Sequence, residues 1–152
     1  MSVIEEKLKQ DINSPASLKS VTAVLKSGIP HTVYKSSLHV DEDGNLAFFD
    51  ILESSKINEA LVYSIWFDRY VTVNILTEDK RSFEIIGKPK ESITQGKQFE
   101  EVYKDLKHTK GNDLNAIWVI EPLEVREETF TVRKEQQERD FPFLKHLDRA
   151  TK

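Results

Sequence analysis

Glu53-Ser54-Ser55-Lys56 brings two hydroxyls and a cation to the mouth of an amphipathic segment whose apolar residues recur at helical spacing. The first N–H groups of a helix have no intrahelical partner, and the helix dipole is positive there, so anions gather at helix N-termini. Ser54, Ser55 and Lys56 together could therefore hold a phosphate-bearing ligand. The plainer reading makes Ser54 or Ser55 an N-cap and nothing more, a role serine fills very often. The residues alone leave both open.

Other chemistry is harder to find. His31, His39, His108 and His146 are scattered, with no i, i+4 pair and no carboxylate at metal-ligand spacing, so a structural role is expected for each. No serine sits in a Gly-x-Ser-x-Gly elbow, and the 5 glycines form neither a dinucleotide fingerprint nor a phosphate loop. The chain has no cysteine, which removes disulfides, thiolate metal sites and a cysteine nucleophile. Trp66 and Trp118 read as core or interface aromatics, with core the expectation for both. A net charge of −4 argues against a broad nucleic-acid surface, which needs clustered Lys and Arg. No apolar run approaches the ~20 residues that cross a bilayer, and Met1-Ser2-Val3-Ile4-Glu5-Glu6 has no signal-peptide pattern, so a cytoplasmic protein is expected.

The elements that must position these residues follow from periodicity. With 152 residues, the chain is about one domain. Ser2 and Glu5 form a capping-box pattern that predicts a helix from Val3 to Ile12. Ser17 to Ser27 alternates, with Val21, Ala23 and Leu25 on one face and Lys19 and Lys26 at its polar margins. His31 to Val40 reads as a second strand, and Asp41-Glu42-Asp43-Gly44-Asn45 as a hairpin connection. Leu46 to Leu52 is apolar on both faces, as in a strand covered on both sides. The helix after Ser55 presents Ile57, Ala60, Leu61, Ser64 and Ile65 as a narrow stripe. A hairpin of Tyr70–Leu76 with Arg81–Gly87 follows, then a helix carrying Phe99, Val102, Tyr103 and Leu106 that ends at Gly111. Asn115 to Pro122 is the final strand. Residues 1–132 are read as one domain with its N-terminal helix, and 133–152 as a charged tail with a short helix and an apolar cluster, Phe141 to Leu147. Strands joined largely by hairpins, with helices between, predict a mainly β, antiparallel barrel of six strands with short flanking helices.

The ordered set of Gly28-Ile29-Pro30-His31, the Asp43-Gly44 hairpin, Ser54-Ser55-Lys56, and Arg81 to Gly87 followed by Lys88 resembles the pyridoxamine 5'-phosphate oxidase-like FMN-binding split barrels, over roughly Ser17 to Val125. The resemblance implies a homodimer with FMN at the subunit interface. It implies that Ser54 and Lys56 match the family's phosphate-binding serine and lysine, with Ser55 where the oxidases carry an arginine. Val33 stands where their second strand carries a phosphate-contacting arginine, and Lys35, on the same strand face, is the residue able to supply a charge instead. Tyr34, Lys35 and Ser36 fall where that strand's backbone meets the flavin ring, and Phe49 and Asp50 where the third strand closes the other side. The oxidases' C-terminal Arg-and-His substrate segment is not recognisable in Phe141 to Arg149, so oxidation of pyridoxamine phosphate is not expected.

A site of backbone and hydroxyl groups, without an evident acid or base, suits hydride or electron transfer by a flavin. The expected function is thus an FMN-dependent oxidoreductase acting on a small-molecule substrate, with NADH or NADPH as electron donor and no nucleic-acid or membrane partner. Two alternatives remain: a non-catalytic flavin- or haem-binding protein of the same fold, and a dimeric protein whose site has decayed.

Overall fold

A computed structural model describes residues 3–52 and 54–142. Ser2, Glu53, His146 and the part of the apolar cluster beyond Pro142 lie outside the described residues. The chain runs α1 (Glu6–Asn13), β1 (Leu18–Val24), β2 (Pro30–Tyr34), β3 (His39–Val40), β4 (Leu46–Asp50), α2 (Lys56–Trp66), β5 (Val71–Leu76), β6 (Ser82–Ile93), α3 (Lys97–Lys110), β7 (Ala116–Glu127) and α4 (Phe130–Asp140). No described helix is long and apolar enough to cross a membrane.

The strands form one antiparallel sheet in the order β2-β1-β5-β6-β7-β4-β3, with seven strands where the sequence reading expects six. The extra strand comes from the expected second strand, His31 to Val40, which is two pieces on opposite edges of the sheet. Lys35 N–H donates to Lys19 O, and Leu38 N–H then turns back to Lys35 O. The chain leaves β1 at that turn and crosses to the far edge. The sequence marks the crossing only by a change of phase, from sheltered odd positions at Val33 and Lys35 to buried even ones at Leu38 and Val40, with no glycine or proline between to break the run. β6 and β7 are also longer than expected, at 12 residues each, with irregularities at Ile86/Gly87 and Pro89/Glu91 that help to curl the sheet into a half-barrel.

Both faces of the sheet's far half are covered. Leu46 and Phe48 of β4 join Trp118 and Ile120 of β7 in the main core, closed by Leu8 and Ile12 of α1 and by Ile57, Ala60 and Leu61 of α2. Ala47 and Ile117 face the other way, against Leu106 and Leu114, with Phe99, Val102 and Tyr103 of α3 packed alongside. The two-sided apolar character of β4 has this cause. Arg81 ties α1 to the β5–β6 hairpin by donating to both carboxylate oxygens of Asp11, at 2.9 and 3.1 Å.

Four local expectations are corrected. The helix begins at Glu6 and not at Val3: Glu5 is its N-cap and offers no side-chain bond. Ile65 is off the buried stripe of α2, at 40% exposure. Trp66 is not core but 77% exposed, whereas Trp118 is buried, its Nε1 donating to Asn58 Oδ1 at 3.1 Å. Lys19 is not at a polar margin: it is buried, and its Nζ donates to Leu38 O at 3.1 Å. Burial without a carboxylate partner lowers its pKa. Its ammonium pins the crossing segment to β1.

Candidate functional site

The edges of the half-barrel come together between the crossing segment and the end of β4, and side chains rather than a strand ladder join them. Phe49 N–H donates to Ser37 Oγ at 3.0 Å. Lys35 Nζ lies 3.7 Å from Asp50 Oδ1 and 5.4 Å from the centre of the Phe48 ring. Asp50 is fully buried at the last position of β4, where its register partner is Ala116 of β7.

Burying a carboxylate is costly unless it is paired and hydrogen-bonded. Asp50 meets that demand from three directions. Ser55 Oγ lies 3.0 and 3.1 Å from its two oxygens, Asn115 Nδ2 donates at 3.3 Å, and the Lys35 ammonium supplies the opposite charge. Ser55 is also the N-cap of α2, accepting from Asn58 N–H at 3.1 Å. Its hydroxyl is thereby shared between the helix end and Asp50, so the cap reading describes what Ser55 does within the chain. Ser54 is an exposed turn residue just outside the helix. Lys56 opens α2, with its side chain 66% exposed and 3.8 Å from Glu59 Oε2.

Two cavities flank this seam. One, of about 470 Å³, is walled by Val33, Ile51, Leu52 and Ile57, with Asp50, Ser55 and Lys56 on its α2 side and His31 across from β2. The other, of about 480 Å³, is bounded by Tyr34, Ser36, Ser37 and Phe49 and by Asp105, Lys110 and Asn112 from α3 and the loop after it. Lys35 and Ile51 belong to the walls of both. The structure therefore gathers seven of the eight site residues named from the sequence, all but Ser54, around two adjoining cavities. Each volume falls within the range of small-molecule sites.

Four contributors were missed. His31 was set aside as a residue beside a turn. Asn115, at the approach to a strong strand, carries no motif; only the buried Asp50 gives it a function. Lys110 and Asn112 sit at the end of α3, and nothing in their spacing points back to β2. Among the described residues, no group of three His, Asp or Glu side chains gathers where it could hold a metal.

The donor set suits a nucleotide with a planar ring. A helix N-terminus with a lysine on its rim borders one cavity, aromatic side chains border the other, and apolar residues line the space near their junction. Among the described residues the α2 cavity is thinly supplied with cations: Lys35 faces Asp50, and the exposed Lys56 at the rim lies 3.8 Å from Glu59 Oε2.

No family model and no curated protein matches the chain. Solved structures do. HupZ of Group A Streptococcus superposes with a TM-score of 0.66 at 16% identity, over 84% of this chain and 95% of that one. An FMN-binding protein from Syntrophomonas wolfei gives 0.61 at 13% identity, over 82% and 86% of the two chains. An F420 reductase gives 0.58 at 16% identity, over 81% and 98%. At these identities the likeness is one of fold. The chain has the split-barrel fold of the FMN-binding proteins, as the resemblance in its sequence implies.

Proposed function

We propose that the chain is a homodimeric, cytoplasmic FMN-binding oxidoreductase that passes hydride or electrons from a nicotinamide nucleotide to a small-molecule acceptor. The observation that carries this reading is the pair of cavities meeting at Lys35 and Ile51, one beside the N-terminus of α2 and the other beside Tyr34 and Phe49. The fold it shares with an FMN-binding protein and an F420 reductase supports the choice of ligand. Lys56 and the first turn of α2 would hold the phosphate, and Tyr34, Ser36 and Phe49 would flank the ring. The flavin supplies the redox chemistry when bound; the chain binds it, orients it and keeps water from it.

A non-catalytic binding protein is the second reading, and one feature favours it. Asp50, the buried carboxylate of the site, is already engaged by Ser55, Asn115 and Lys35, so it is held as a structural group and not poised to move a proton. Anaerobic mixing of the FMN-loaded protein with NADH or NADPH separates the two. The oxidoreductase reading predicts saturable bleaching of the flavin absorbance by at least one nucleotide. Bound flavin that neither nucleotide bleaches leaves the binding protein standing, and turnover of pyridoxamine phosphate in air would overturn both.

A further inference from the structure

Lys35 holds an unusual position for a lysine. Its side chain is only 17% exposed, yet among the described residues its ammonium has no hydrogen-bond partner. Asp50 Oδ1 is 3.7 Å away, beyond the range of a formed N–H···O bond. The Phe48 ring offers a face 5.4 Å off, which satisfies charge but fills no particular N–H direction. An ammonium carries three donors, and because no buried side-chain polar atom among the described residues lacks a partner, those of Lys35 stay open to solvent and so to a ligand entering the cavities. Lys35 also stands in the wall shared by both cavities.

We propose that Lys35 is a ligand-recognition residue that donates to the acceptor edge of the planar ring, and not to the phosphate. The assignment rests on the flavin reading above and adds to it the group that reads the ring. Three features separate Lys35 from a phosphate cation. It lies past the end of β2, beside the ring cavity's Tyr34 and Ser36, whereas Lys56 stands at the rim beside α2. Asp50 opposes its charge, so its field on a distant dianion is weak, while a short-range bond to a carbonyl or ring nitrogen remains available. Asp50 keeps Ser55 and Asn115 as donors, so a small shift of the ammonium toward a ligand leaves the carboxylate hydrogen-bonded. Lys35 thus selects ligands with an acceptor at their middle, as flavins have.

The test is a fluorescence-quenching titration of FMN and of riboflavin into wild type, Lys35→Met and Lys35→Arg, with the midpoint potential of bound FMN measured alongside. Because Lys35→Met leaves Asp50 buried without a cation, Lys35→Met/Asp50→Asn is the paired control that removes both charges. Lys35→Met and the double variant should each bind FMN and riboflavin about tenfold more weakly, the two ligands losing alike, and Lys35→Arg should recover part of the loss. The midpoint potential should fall in Lys35→Met, because a cation beside the ring's acceptor edge favours the electron-rich reduced ring. Folded variants that bind both ligands as wild type does, a loss confined to FMN, or an unmoved potential would each overturn the assignment while leaving the flavin reading intact. A wild type that takes up neither ligand sinks the flavin reading, and this assignment with it.

Discussion

On the flavin reading proposed above, Lys56 is the residue on which phosphate recognition would turn. Its present partner, Glu59, is itself 56% exposed, and an exposed i, i+3 pair of this kind contributes little to stability. Exchanging Glu59 for a phosphate dianion beside the helix N-terminus therefore costs little. A charge-assisted hydrogen bond contributes about 1.5 kcal/mol at the low end, so Lys56→Ala should weaken FMN binding roughly tenfold. Riboflavin, which lacks the phosphate, should bind the variant as it binds wild type. Equal losses for both would show that Lys56 acts through folding of α2. The sequence made Ser55 legible twice, as a phosphate hydroxyl and as a cap. Its contacts to Asn58 N–H and Asp50 realise the cap, and only the fold reveals the second of those partners. Asp50 was placed beside the ring by resemblance alone; its burial and its bond to Asn115 join residues 65 apart in the chain, which no local pattern encodes.

At the scale of elements, β4, α2, α3 and the β5–β6 hairpin were readable because each satisfies a local rule. Ser55 caps α2, and Gly111 ends α3 with φ +68°. The misread element was His31–Val40, because alternation reports which face is buried and not which strand is the neighbour. Lys19 was misjudged for a related reason. A lysine between apolar positions looks like a margin until a carbonyl, here Leu38 O, is found within reach of its ammonium. The β6–β7 pair is the curled spine that carries β4 to the site, and Gly87 marks its tightest approach. A Cβ there would meet Glu121 O at 2.5 Å and Ile120 Cγ2 at 2.9 Å. Gly87→Ala must therefore push β7 away or distort β6, at a cost of about 1–3 kcal/mol. The thermal midpoint should fall by several degrees, and an unchanged midpoint would show that the spine yields without penalty.

The whole molecule leaves apolar surface where a second copy would serve it. Ile29, Tyr34 and Leu52 are 61%, 73% and 65% exposed, and the last two border the cavities. Covering them would enclose the ring site and exclude water from it, and stable dimer interfaces are enriched in such residues. The half-barrel was legible from its hairpins and two-sided strands; the pairing of copies rests on resemblance and on this exposed surface. Analytical ultracentrifugation of the protein with equimolar FMN, followed in the flavin absorbance band, tests ligand and assembly together. The account predicts that flavin absorbance sediments with a species of twice the 17.6 kDa chain mass, at one FMN per chain. Flavin that stays behind as a free small molecule while the protein sediments without it would contradict the account.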